Sequence, residues 1–334
     1  MSAARIIATG RYVPARRVTN AELEQQLGPK GAGVDAWLRK NVGIEARHFM
    51  AASEVTSDLA LAAARDALQK AKIDPAQLDM IVLATDTPDQ PSPGTSARLQ
   101  FLLGAKSAAA FDVNCACAGF VTALDLAARY LISEPPGSGV RRALVVGAYA
   151  MSRFLDFSEK QTSTLFADGA GALLLEAGEA PGFLGSKLAT DGAYWDALGI
   201  YGGGAALPST AENVARHGPP AVRFVKKFPS TFNTDRWPPM IREVCARAGL
   251  TPEDLKLLVF TQLNLRTIEA TMDALKLPMS RTHWTMDKWG YTGSACIPMT
   301  LDDALEQGRA KPGDAIALCA TGGGLSLGCT LFRL

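Results

Sequence analysis

The chain has 334 residues, a length that fits one large α/β unit or two domains of about 150 residues. Hydrophobic residues make up 48% and charged residues 20%, enough to bury a large core, which excludes general disorder. With 34 basic and 33 acidic side chains (formal charge +1) and 7% aromatics, a strong global pull toward nucleic acid or an anionic membrane is excluded and base-stacking platforms are disfavoured; a local basic patch is not.

In chain order, the opening MSAARIIATGRYVP interrupts its first apolar stretch with Arg5 and has no signal-peptide pattern, so secretion is not expected. Residues 20–55 fit no clean periodicity and are expected to form a cap. Residues 65–83, RDALQKAKIDPAQLDMIVL, predict a helix, a Pro turn and a buried strand. Residues 111–132, FDVNCACAGFVTALDLAARYLI, predict a strand ending near Val113, a turn of small residues and an apolar helix from about Ala118. RRALVVGA at 141–148 and DGAGALLLEA at 168–177 predict two more strands. Residues 195–240, rich in Gly and Pro (IYGGGAALPS, HGPPAV, RWPPM), predict a second cap or lid. Residues 242–260, REVCARAGLTPEDLKLLVF, again predict helix, Pro turn and strand. His283 is expected to begin a strand leading toward Tyr291, ahead of a turn and a helix. The uncharged run 315–332 reads as two buried strands joined by a glycine turn, because Gly322, Gly323, Gly324 and Gly328 punctuate it; a lipid-facing helix fits less well.

These segments repeat. Residues 65–83 align without gaps to 242–260 at an offset of 177, with Arg65/Arg242, Ala71/Ala248, Pro75/Pro252, Leu78/Leu255 and Val82/Val259 identical. The same offset carries Ala118, Leu124, Asp125 and Ala127 onto Ala295, Leu301, Asp302 and Ala304. Two α/β halves are predicted, 1–178 and 179–334, each a mixed sheet covered by helices.

Cys117 falls at or beside the predicted helix N-terminus, where unpaired N–H groups and the helix dipole favour a thiolate. Small neighbours Ala116, Ala118 and Gly119 let a carbonyl come close, and a strand-turn-helix is a known way to present a nucleophile. The alternative is a buried small hydrophobe. Cys115 is expected to be a packed thiol below the turn. The six cysteines (115, 117, 245, 296, 319 and 329) include no C-x-x-C and read as reduced thiols of a cytoplasmic protein, with no metal site expected. GGGLSLG is no dinucleotide loop, since no helix with an acidic ribose partner follows it.

FDVNCACAGF resembles the nucleophile segment of β-ketoacyl-ACP synthase III, in the thiolase superfamily. WLRKNVGIEARHF at 37–49, LFADGAGALLLE and KPGDAIALCATGGGLSLG resemble further segments of that family, so the likeness covers nearly the whole chain. The resemblance implies a thiolase-like five-layered αβαβα fold of two duplicated halves, with the nucleophile in 1–178 and the tunnel-mouth and oxyanion-turn residues in 179–334. It implies a homodimeric acyltransferase that takes a coenzyme A thioester as substrate, has acyl carrier protein as partner, and holds no tightly bound cofactor. Cys117 matches the acylated residue, and Gly323 the glycine whose N–H forms the oxyanion hole with that of Cys117.

Two positions depart from the family pattern. Its His-Gln-x-Asn-x-Arg is TQLNLR at 261–266, so Thr261 replaces the histidine; its Gly-Asn-Thr-Ser is GYTG at 290–293, so Tyr291 replaces the asparagine. Losing one such donor costs roughly 2.7–4 kcal/mol. Malonyl decarboxylation is therefore weakened, while acylation of Cys117 needs only a thiolate and the oxyanion hole. By resemblance Trp37 is the aromatic that holds CoA, Lys160 stands where an arginine sandwiches the adenine, and Asn264 and Arg266 match the tunnel-mouth pair. Asn41 takes a usual arginine position beside Arg39 and Lys40, and Arg223, Lys226 and Lys227 extend a basic patch. His48 and His217 are expected to be structural or exposed; His283 with Asp287 is the outside candidate for a relocated base. The expected activity is transfer of an acyl group, through a Cys117 thioester, from acyl-CoA or acyl carrier protein to a carbon, hydroxyl or amine acceptor. The alternatives are a non-catalytic partner subunit of a catalytic homologue, or an acyl-thioester hydrolase. No nucleic-acid or membrane partner is expected.

Overall fold

A computed structural model describes residues 3–133, 139–179 and 181–334. The first strands are β1 (Ala3–Tyr12), β2 (Arg16–Thr19), β3 (Ala46–Phe49), β4 (Met80–Ala84), β5 (Ala109–Val113), β6 (Arg142–Ala150) and β7 (Asp168–Gly178). The later ones are β8 (Phe183–Thr190), β9 (Leu198–Ile200), β10 (Val222–Phe224), β11 (Leu255–Phe260), β12 (Ala315–Gly322) and β13 (Ser326–Arg333). The helices are α1 (Asn20–Leu27), α2 (Val34–Asn41), α3 (Thr56–Ala71), α4 (Thr95–Leu103), α5 (Gly119–Ser133), α6 (Lys160–Ser163), α7 (Ala211–His217), α8 (Phe232–Arg247), α9 (Leu265–Leu275), α10 (Met286–Trp289) and α11 (Cys296–Glu306).

One mixed sheet runs β1-β7-β6-β4-β5; a second runs β8-β13-β12-β11 and repeats that order with its last strand missing. Helices α3 and α4 cover the outer face of the first sheet, α8 with α9 packed beside it that of the second, and α5 and α11 lie between the two sheets, giving five layers. The central position of α5 explains its composition. Phe120, Val121, Ala123, Leu124, Ala127, Ala128 and Leu131 are buried around most of its circumference, as a helix packed on two faces requires. Ala116–Ser133 is apolar and long enough to cross a membrane by composition alone, yet this segment is the core helix between the sheets.

The 177-residue repeat is visible in reciprocal bonds. Asp125 on α5 accepts from the Ser186 hydroxyl on β8, and Asp302 on α11 accepts from the Thr9 hydroxyl on β1 at 2.6 Å. Each half thus ties its central helix to the other half's sheet. Both Pro turns form as predicted: a short 3₁₀ turn at Pro75–Gln77 leads into β4, and one at Pro252–Asp254 leads into β11.

Two expectations are corrected. No strand runs from His283 toward Tyr291: Thr282 makes only an isolated bridge to Leu258, and 286–289 is the short helix α10. The edge carbonyls of β11 are taken by side chains instead, that of Leu258 by the Thr282 hydroxyl at 2.8 Å and that of Leu255 by Arg281 at 2.8 Å. RWPPM is not lid but lies within α8, with Pro238 and Pro239 inside the helix. Trp237 there is buried, stacks on Phe260 at 5.2 Å and donates to Thr321 Oγ1 at 2.9 Å, so packing outweighs the backbone cost of the prolines. Of the predicted caps, 20–55 holds α1, α2 and β3, and 195–240 holds the β9–β10 ribbon with α7 ahead of α8.

Candidate active site

The nucleophile turn is built from short-range bonds. After β5, Asn114 Oδ1 accepts from Ala116 N at 3.0 Å, Ala118 N donates to Cys115 O at 3.1 Å, and α5 begins at Gly119. Ala116 has φ of 46°, a left-handed conformation that a side chain resists and that clusters at functional sites. The bend aims Cys117 inward, leaving it 5% exposed, while Cys115 packs half-buried against the central core. The end of β12 leans on this turn. A Cβ on Gly322 would lie 2.5 Å from Cys115 O and 2.8 Å from Cys117 N, so only glycine permits the approach.

Cys117 and Gly323 line one cavity of about 180 Å³, together with Asp86, Tyr149, Phe166 and Ile200 of the β9 lid. Tyr291 stands close enough to the Cys117 sulfur for its hydroxyl to favour the thiolate. Its ring packs on Phe166 at 5.5 Å, and its backbone is pinned by Tyr291 N to Leu165 O at 3.0 Å and Ala167 N to Tyr291 O at 2.9 Å. Thr261, the other replaced position, does not face the cavity. Its hydroxyl is committed to the backbone just before the glycine bend, accepting from Thr321 N at 2.9 Å.

Burial pushes the Cys117 thiol well above its usual range, and the negative charge of Asp86 pushes it further; the Tyr291 hydroxyl pulls it back. The expectation of a resting thiolate at the helix N-terminus is thus corrected. In this cavity, desolvation and a neighbouring carboxylate outweigh the dipole of α5, and the sulfur rests as a thiol.

Trp37, 57% exposed, and Lys160 line a wider cavity of about 800 Å³ with Lys226, Lys227, Phe224 and Phe228. Adjacent residues line the two cavities, Leu165 the wide one and Phe166 the narrow one, so they abut. Asn264 caps α9 through its own Oδ1, which accepts from Arg266 N at 2.9 Å. Leu265 N binds Val42 O at 2.8 Å, which seats this loop against the end of α2, but neither Asn264 nor Arg266 lines the two cavities. Arg39 is spent on Asp35 and Glu45 at 2.8 and 2.7 Å, and Asn41 on the Trp37 carbonyl at 2.9 Å, so the expected basic run on α2 narrows to Lys40.

Two family models match the chain, that of 3-oxoacyl-[acyl-carrier-protein] synthase III over residues 111–192 and that of its C-terminal domain over 245–334. The chain is 32% identical to 3-oxoacyl-[acyl-carrier-protein] synthase III from Aquifex aeolicus VF5, with 99% of this chain and 100% of that one covered and a TM-score of 0.87. The chain belongs to the synthase III family. The enzyme from Pseudomonas aeruginosa PAO1 is also 32% identical (99% and 98% covered, TM-score 0.88), and the priming β-ketosynthase of the R1128 polyketide pathway is 30% identical (99% and 96%, 0.88). The fold is thiolase-like, and the family is one of acyl-transferring, condensing enzymes.

Within this synthase III chain, no histidine lines the Cys117 cavity. His48 Nδ1 pairs with Pro14 O at 2.6 Å, and His217 ends α7 on the surface. His283 Nε2 bonds Asp303 Oδ2 at 2.7 Å, and Lys288 holds the other oxygen of Asp303 at 2.8 Å. His283 and Asp287 line a separate cavity that shares no residue with that of Cys117, so the relocated-base expectation is corrected. With no strand at 283–291, the chain turns His283 toward α11 instead.

Sequence reasoning missed Asp86, the carboxylate of the Cys117 cavity. A signal was present: Asp86 lies two residues beyond the end of a buried strand, and the 177 offset carries it to Leu263, inside the TQLNLR loop that the family resemblance had marked.

Proposed function

We propose that this chain is an acyltransferase that forms an acyl-thioester on Cys117, with acyl-CoA or acyl carrier protein as donor, and hands the acyl group to a second nucleophile. One observation carries this reading: the Cys117 thiol, which the Tyr291 hydroxyl favours toward the thiolate, shares a cavity with Gly323 of the glycine bend, whose Gly322 lets the backbone come up against Cys117 N, so that N–H groups can approach a thioester oxygen. The sulfur attacks the thioester carbon, the C–S bond to the donor breaks, and the cysteine proton leaves with the donor as a free thiol. The wide neighbouring cavity, with Trp37 beside Lys160, Lys226 and Lys227, supports entry of a donor that carries phosphates. Decarboxylative condensation has little support, because the hydroxyl of Thr261 is committed elsewhere and no imidazole faces Cys117.

A homodimer is part of the same reading. Strand β5 ends its sheet with an open edge, and Phe101 on the adjacent α4 is 78% exposed. Incubation with a panel of acyl-CoAs followed by intact-mass analysis tests the proposal. An acyl adduct in the wild type that is absent from Cys117→Ala is expected; no adduct from any donor overturns it.

A further inference from the structure

Asp86 stands in the narrow cavity with Cys117 and Tyr149, and no lysine, arginine or histidine lines that cavity among the described residues. Its Oδ1 has neither accessible surface nor a hydrogen-bond partner, although the side chain opens to the cavity. The loop that carries it is held on both sides. Thr85 N donates to Val113 O at 3.2 Å, Thr87 N to Thr85 Oγ1 at 3.1 Å and Ala150 N to Thr87 Oγ1 at 2.9 Å, while the Thr56 hydroxyl donates to Thr87 O. A carboxylate on a loop held this firmly, with no cation in its cavity and one oxygen without a partner, facing a nucleophile, is a candidate for chemistry.

Resting on the acyl-enzyme reading above, we infer that Asp86 is the general base of the second half-reaction and that the acceptor is a hydroxyl or amine. As the acceptor oxygen or nitrogen attacks the Cys117 thioester carbon, Asp86 takes its proton; the C–S bond breaks, and the proton passes on to the departing sulfur, restoring thiol and carboxylate. Burial lifts Asp86 to about 6, so it is ionised at neutral pH yet basic enough to accept a proton. Such a base suits an O–H or N–H that becomes acidic as the new bond forms. The same uncompensated charge repels the carboxylate of a malonyl unit. The groups facing Asp86 are Cys117 on the turn and Tyr149 on β6, with Cys296 of α11 and Tyr291 behind them; burial raises all four, so none titrates near 6. Asp89 on the same loop is paired with Arg98 at 3.2 Å.

The test separates the two half-reactions in wild type and Asp86→Asn. Acylation by acyl-CoA is followed by intact mass, and discharge of the isolated acyl-enzyme is followed with 1-propanol, with glycine amide and with hydroxylamine, a nucleophile that needs little help from a base. Removing the charge of Asp86 relieves the Cys117 thiol, so acylation in the variant is expected to be at least as fast as in wild type. Discharge to 1-propanol or glycine amide falls by about 10²-fold or more, and discharge to hydroxylamine holds. The wild-type discharge rate rises with pH through about 6, and the variant lacks that step. Equal loss of acylation and discharge, unchanged discharge in the variant, or a flat wild-type profile each overturns the inference. Discharge of the wild-type acyl-enzyme by malonyl-CoA but not by 1-propanol or glycine amide overturns the acceptor class. A wild type that forms no adduct sinks the acyl-enzyme reading itself, and this inference with it. Should Asp86→Asn fail to fold, the wild-type pH profile alone decides.

Discussion

The turn at Cys115–Ala118 and the turn at Thr292–Ala295 are the same device in the two halves, yet the first lines the Cys117 cavity and the second is buried. Each precedes an apolar central helix, and each is pressed by a strand of the other half. Gly322 at the end of β12 abuts Cys117 N, and Gly147 on β6 has no room for a Cβ against Ser294 O. Ser294, the register partner of Cys117, is 1% exposed and donates to Ala148 O at 2.9 Å. What stands over each turn differs. The ring of Tyr149 fills the space that a side chain on Gly293 would need, whereas over Cys117 the β9–β10 ribbon leaves a space. A strand-turn-helix therefore supplies only a place for a nucleophile; the layer above decides whether that place becomes a site.

The sharpest break of this comparison is to exchange the roles of the turns. Cys117→Ala is expected to abolish the acyl adduct, and adding Ser294→Cys is expected not to restore it; an adduct at 294 in the intact mass would show the second turn to be open. Next come the paired glycines. Gly322→Ala, which forces the nucleophile turn to shift, is expected to slow acylation about 10²-fold or more. Gly147→Ala is expected to cost about 1–3 kcal/mol of stability in denaturant titration and to leave acylation in place. Tyr291→Phe keeps the stack on Phe166 but removes the hydroxyl that holds the Cys117 thiol down. The thiol then rises further, so alkylation by iodoacetamide at fixed pH slows about tenfold and its rate–pH curve moves to higher pH; an unchanged curve would show that the hydroxyl does not act on the sulfur. The smallest effect belongs to Ser294→Ala, about 0.5–1.5 kcal/mol from the lost bond to Ala148 O, read as a shift in Tm with acylation unchanged.

Much of the fold was legible because it rests on local patterns. The helix, Pro turn and strand at 65–83 and 242–260 follow from periodicity and punctuation within each segment, and the repeat follows from comparing them. The nucleophile turn was legible for the same reason, since small residues between an apolar strand and an apolar helix leave little else to form. Asp86 was not, because its meaning lies in what its cavity lacks, a cation beside it, and that is a property of the assembled cavity. Nor was the absence of a strand at 283–291, where Arg281 and Thr282 cap the edge of β11 from outside the segment's own pattern.

By itself the sequence determined two duplicated α/β halves, the placement of Cys117 at a strand-to-helix bend and a glycine turn between two buried strands near the end of the chain, each set by residues close together along the chain. Only the tertiary structure decided that this sulfur rests protonated, that Asp86 and not His283 shares its cavity, and that Trp37 and Lys160 border the wider opening beside it. Those outcomes depend on desolvation and on charges brought together across layers, and such forces act only once the sheets have closed on their shared core.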